Sequence, residues 1–217
     1  MALWLGTEAR LGGVAVTSKP ESKAQKNVDF LARRDALELY GEVKSPYVPL
    51  LNGVGSGDDS KSLRSCVQTA GEQFKKGRCN IIFLAPVLRT PIHMFREQLV
   101  KAVIGESALT VYVSLDPAHP APPAEPTFLQ TGKLARLHPK GDGTVTTDYT
   151  RISAVVSVEQ ILVEAATGER NVDHRITVVH NPFAENGVPI ELFGAYPQLI
   201  KRADGNMEWT DRLDTAR

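Results

Sequence analysis

The chain is poor in the features that usually announce a function. Two cysteines in 217 residues cannot build a disulfide framework. Cys66 and Cys79 stand far apart, and no histidine pair has ligand spacing, so nothing points to a zinc centre. The formal net charge is zero, from 25 basic and 25 acidic residues, which argues against a broad basic face for avid duplex binding. No apolar run approaches the length of a membrane span, so no membrane partner is expected. The opening MALWLG is too short for a signal peptide, lacks a basic start and is soon interrupted by Glu8. With two unpaired cysteines this predicts a reducing, cytoplasmic setting, Cys66 and Cys79 being reduced and structural. GxSxG is missing, so a serine hydrolase is unsupported. GxGxxG and the P-loop are missing too, because GVGSG at 53–57 reads as a flexible loop without a helix at the right spacing.

What is present is a chain able to fold. Hydrophobic residues make up 42% of it, an ordinary share for a globular protein, and its length permits one large or two small domains with a real core.

The most informative stretch is residues 28–45, VDFLARRDALELYGEVKS. Val28, Phe30 and Ala32 alternate with Asp29 and Leu31. Leu37, Leu39, Gly41 and Val43 alternate with Glu38, Tyr40, Glu42 and Lys44. Period-two alternation is the strand signal. A two-residue loop at Asp35–Ala36 would pair Arg34 with Leu37 and, counting outward, Asp29 with Glu42. Directly opposed residues share a face, with Cβ atoms about 4.5–5.5 Å apart, so both carboxylates could reach one ion. Lys44 lies on the face of Glu42, two residues along. A bare acidic-x-Lys triplet means little, since Glu21 with Lys23 and Asp59 with Lys61 also supply it. Only Glu42 with Lys44 follows a strand, a turn and an aspartate. Oxygen ligands suit hard divalent ions such as magnesium or manganese. Such an ion neutralises a phosphodiester and lowers the pKa of a water, and lysine adds a compact positive charge. A solvated hairpin face is the plainer reading of the same residues.

The elements that follow favour a site. Residues 47–60 are rich in Gly, Pro, Ser and Asp and read as a loop. Residues 61–76 then carry Leu63, Val67, Ala70 and Phe74 at helical spacing, with Gly77 as a stop. CNIIFLAP at 79–86 is a continuous apolar run, which fits a strand buried on both faces and parallel to its neighbour. Strand, turn, strand, helix and buried strand in this order predict an α/β layer.

Asp29, the Glu42–Val43–Lys44 triplet and this element order resemble the core of the PD-(D/E)xK nuclease superfamily, the restriction endonuclease-like proteins. The resemblance spans residues 29–85, about a quarter of the chain, and Val28 stands where the motif has its proline. It implies a mixed central β-sheet flanked by helices and a metal-dependent nuclease acting on nucleic acid, DNA ahead of RNA. It further implies that Asp29 and Glu42 bind Mg2+ or Mn2+ and that Lys44 positions or deprotonates the attacking water. Glu8 would be the extra acidic ligand that some members use. The opposing class is an inactive, nuclease-like scaffold that binds protein or nucleic acid.

The remainder extends the fold expectation. Residues 91–104 predict a helix with Met94, Phe95, Leu99 and Val103 facing inward. Residues 109–115, 152–158 and 176–179 predict strands, with turns at 140–143 and 167–171. Residues 116–126 contain five prolines and read as a loop within one domain over 1–217. His180 reads as a hydrogen-bonded turn histidine closing the last strand, because Pro182 turns the chain there. His93 and His138 have no evident partner. Trp209 is expected to cover the sheet, and the later strands to extend it. The basic groups Arg33–Arg34, Lys61 with Arg64, and Lys75–Lys76–Arg78 read as solvated surface.

Overall fold

The computed structural model describes residues 15–18, 28–46, 60–85, 96–110, 118, 125–129, 134, 149–164, 168, 170–203 and 207–210. The hairpin forms as its alternation requires. β1 (Ala15–Ser18) pairs antiparallel with β2 (Phe30–Arg34), which pairs antiparallel with β3 (Leu37–Lys44). Arg34 faces Leu37 and Phe30 faces Gly41 across the β2–β3 ladder, the register set by a two-residue turn. Asp35 takes φ 51° in that turn, a left-handed conformation aspartate tolerates better than most residues.

The chain then crosses over through α1 (Ser60–Gln73), whose buried stripe includes Leu63, Val67 and Ala70. Ser60, expected in the loop, opens this helix, and the helix ends three residues short of the expected Lys76. Gly77, at φ 75°, turns the chain into β4 (Cys79–Leu84). β4 is buried along its whole length and runs parallel to β3, from Leu39 beside Cys79 to Lys44 beside Leu84. A helix crossover is what parallel neighbours need.

α2 (Arg96–Val103) buries Leu99 and Val103 as its periodicity predicts, together with Ala102, while residues 91–95, with Met94 and Phe95, lie outside the described part. β5 (Glu106–Thr110) and β6 (Glu125–Leu129) form a separate two-stranded antiparallel sheet. Glu125 and Pro126 therefore begin a strand and do not belong to the proline loop. A two-stranded sheet consists of edges, where proline is tolerated.

β7 (Ala154–Glu164) joins β4 in parallel and makes a long hairpin with β8 (Arg170–His180), turning near Gly168 at φ 81°. Both strands are longer than the expected 152–158 and 176–179. After a 3₁₀ turn at Ile190–Phe193, β9 (Gln198–Lys201) pairs parallel with β8, and β10 (Met207–Thr210) pairs antiparallel with β9. His180 thus ends β8 but not the last strand: two four-residue strands follow it. Trp209 sits within β10, where it packs on the helix-side core with the Arg96 guanidinium 4.9 Å from its ring centroid.

The result is an α/β fold with an eight-stranded mixed sheet in the order β1-β2-β3-β4-β7-β8-β9-β10. One face packs Ile82, Leu84, Val155 and Val179 against Leu63, Val67, Leu99 and Val103 of the helices. The other packs Phe30, Ile81, Phe83, Val156 and Val178 against Leu192 and Phe193. One alternation fails. Val28 lies in the helix-side core although Phe30 and Ala32 lie in the other, because the backbone bends at Asp29. Among the described residues no helix is long and apolar enough to cross a membrane.

Candidate functional site

The candidate site lies where β3 leaves the hairpin on the helix side. Alternation turns Tyr40, Glu42 and Lys44 towards the helices, and Glu42 and Lys44 have Ile82 and Leu84 as β4 neighbours. The apolar β4 and the helix above strip water from Glu42, which is 2% exposed. A carboxylate so placed needs positive charge or donors. Lys44 supplies one contact, its Nζ donating to Glu42 Oε1 at 2.6 Å. Glu42 Oε2 is buried and has no hydrogen-bond partner among the described residues. The other atoms in that condition belong to Asn80, Gln98 and Arg151, so the Glu42 oxygen is the one carried by an acid.

Burial is the main cause that pushes the Glu42 carboxyl above its ordinary value, and the Asp29 charge adds to it. The Lys44 ammonium and the Asp29 backbone amide pull in the other direction without cancelling the rise.

Asp29 stands one residue before β2, at the bend. Its Oδ2 accepts the Val43 N–H at 2.6 Å, so the side chain extends the hairpin ladder by one bond. Asp29, Glu42 and Lys44 are therefore neighbours, but Asp29 stands outside the β2–β3 ladder, which begins at Phe30 and Gly41, and it has a structural duty of its own. Nothing in the hydrophobic pattern signals that bond. Glu8 lies outside the described residues, as do Glu21, Lys23 and Asp59. Among the described residues no set of three His, Cys, Asp or Glu side chains gathers as a metal centre. The cluster offers two carboxylates and a lysine.

Cys66 joins this neighbourhood unannounced. It flanks the buried stripe of α1, and its thiol is raised by burial yet feels the Lys44 charge. Its position three residues after Leu63 was the available signal. Cys66 and Cys79 are both free thiols, and burial raises Cys79 as well.

The basic groups are partly engaged at home. Arg33 pairs with Glu38 at 2.8 Å, Arg64 donates to the Ser60 hydroxyl, and the Arg78 guanidinium lies 4.3 Å from the Tyr40 ring centroid. His93 and His138 lie outside the described residues. His180 is buried and bonded to Gln198 at 2.7 Å, away from the cluster on the other face. No protein-family model, no curated protein and no solved structure matches this chain.

Proposed function

We propose that the chain is a divalent-metal-dependent nuclease with a restriction endonuclease-like core, hydrolysing phosphodiesters in nucleic acid, DNA ahead of RNA. The observation that carries the reading is the buried oxygen of Glu42 that has no hydrogen-bond partner among the described residues, on a residue that neighbours both Asp29 and Lys44. A buried acid with one oxygen unsatisfied fits a hard cation, and among the described residues the Asp29 side chain is hydrogen-bonded through Oδ2 alone. Asp29 and Glu42 would hold Mg2+ or Mn2+, with Glu8 as the candidate for a further ligand. Such an ion supplies charge neutralisation at the phosphate and lowers the pKa of a water.

The chain's own groups supply the rest. Glu42 is held rigid by β3 between β2 and β4. Asp29 fixes the hairpin end through Val43. Lys44 keeps 22% of its side chain exposed, so Nζ can reach from Glu42 towards a phosphate oxygen or the attacking water. Help of this kind is typically worth about 10²–10⁴-fold in rate.

One observation favours a second reading, a scaffold without catalysis. The Asp29–Val43 bond and the Lys44–Glu42 pair together describe a well-made hairpin end that needs no ion. Incubating the chain with duplex and single-stranded DNA and with RNA, in Mg2+ or Mn2+, separates the two. The nuclease reading expects ion-dependent cleavage that Asp29→Ala and Glu42→Ala both abolish with the fold retained. No cleavage of any substrate in either ion would leave the scaffold.

A further inference from the structure

Glu42 has one counter-charge in hand and, among the described residues, one oxygen without a hydrogen-bond partner. Lys44 Nζ holds Oε1 at 2.6 Å, while Oε2 is buried and open among the described residues. A carboxylate that is 2% exposed is costly unless a cation attends it, so the metal-free protein depends on Lys44 to keep Glu42 charged inside. An ion arriving at Oε2 meets that ammonium across a single carboxylate. Like charges a few ångströms apart in a partly buried site repel strongly.

We propose that Lys44 is a resident counter-ion that holds the metal-free site together and keeps its affinity for divalent cations low. This rests on the metal-dependent reading above. The repulsion makes occupancy follow the free concentration of the ion, so that the site loads and unloads with it. Lys44 therefore acts in two opposed directions, assisting the reaction while weakening retention of the ion.

The test uses the full chain with Mn2+ alone, followed by calorimetric titration and thermal melting. Lys44→Gln should bind Mn2+ at least about tenfold more tightly than the wild type. It should also melt lower without the ion, and gain more from it. Lys44→Arg keeps the charge and should bind within about twofold of the wild type. Equal or weaker binding by Lys44→Gln would overturn the proposal, as would a matching gain in Lys44→Arg. A measurement on the unaltered chain guards against a variant that fails to fold. The nitrogen resonance of Lys44 Nζ should move on saturation with Mg2+, and an unmoved resonance in the ion-bound protein overturns the proposal. Ion-dependent cleavage with unchanged Lys44→Gln affinity would sink this proposal alone. No response to either ion, with no cleavage, sinks the metal reading with it.

Discussion

Two polar pairs, each built on a buried side chain, occupy opposite faces of one sheet. On the helix side Lys44 meets Glu42 at 2.6 Å; on the other, His180 meets Gln198 at 2.7 Å. The second pair is closed. Gln198 Nε2 donates to the Ile190 carbonyl, so its Oε1 is left to accept from His180 Nε2. Burial lowers the His180 pKa, which favours the neutral ring, and the pair ties the end of β8 to the 3₁₀ turn. The first pair is charged and open, with Oε2 of Glu42 left over. Burial alone marks both pairs as important. What distinguishes a candidate site from a structural tie is whether the buried group's bonding capacity is used up.

The sharpest way to break the comparison is to remove one member of each pair. Glu42→Gln should bring cleavage in Mg2+ below detection while the ion-free protein melts no lower than wild type, because a disfavoured charge is gone and Lys44 can reach water. Gln198→Ala should do the reverse. It leaves His180 and the Ile190 carbonyl without their partner in a fully buried place and opens a cavity, at about 2–4 kcal/mol of stability by chemical denaturation, with cleavage per folded molecule unchanged. A Gln198→Ala protein of wild-type stability would show that the closed pair is not a tie.

Gly41→Ala asks whether the open pair depends on its hairpin. A Cβ at Gly41 would lie 2.1 Å from the Phe30 ring, which folds over this glycine from the facing strand. Overpacking of this kind typically costs about 1–3 kcal/mol. The melt should fall accordingly, and cleavage with it, since the shift falls on the residue before Glu42.

The pairs should also respond to pH with opposite signs. His180 has a folded pKa below its ordinary value, so its contribution is intact above that value and fades as pH falls through the folded one. Glu42 has a folded pKa above its ordinary value, so in metal-free buffer it favours the folded state most at low pH. That contribution is lost as pH rises through the carboxylate range to the folded value. Melting curves of His180→Gln and Glu42→Gln against pH should each lose one limb. If both variants changed the same limb, the assignment would fail. The smallest effect is expected at Cys66. Its half-buried thiol makes Cys66→Ala a change of less than about 1 kcal/mol with cleavage retained.

The parts legible in the sequence were those written in a repeating pattern. The β2–β3 register follows from a two-residue loop and the alternation around it, and Lys44 beside Glu42 follows from a spacing of two. α1 and β4 announce themselves by Leu63–Val67–Ala70 and by an unbroken apolar run. β9 and β10 did not, because QLIK and MEWT are too short for periodicity and find their place only by pairing. β6 was hidden by its proline. The bend at Asp29, which sends Val28 to the opposite face, is set by a side-chain bond to Val43 and leaves no trace in hydrophobicity. The closed pair was half visible: His180 could be read as a bonded histidine, but Gln198, eighteen residues away, could not be read as its partner.

Diffraction from crystals soaked in Mn2+, recorded for the manganese anomalous signal, reads the open pair most directly. An anomalous peak bonded to Glu42 Oε2 and to Asp29, absent from Glu42→Gln crystals, is the expected result. Manganese-saturated wild-type crystals with no peak at Glu42, and with Lys44 still on Oε1, would contradict it and make this end of the hairpin a tie like its counterpart on the other face.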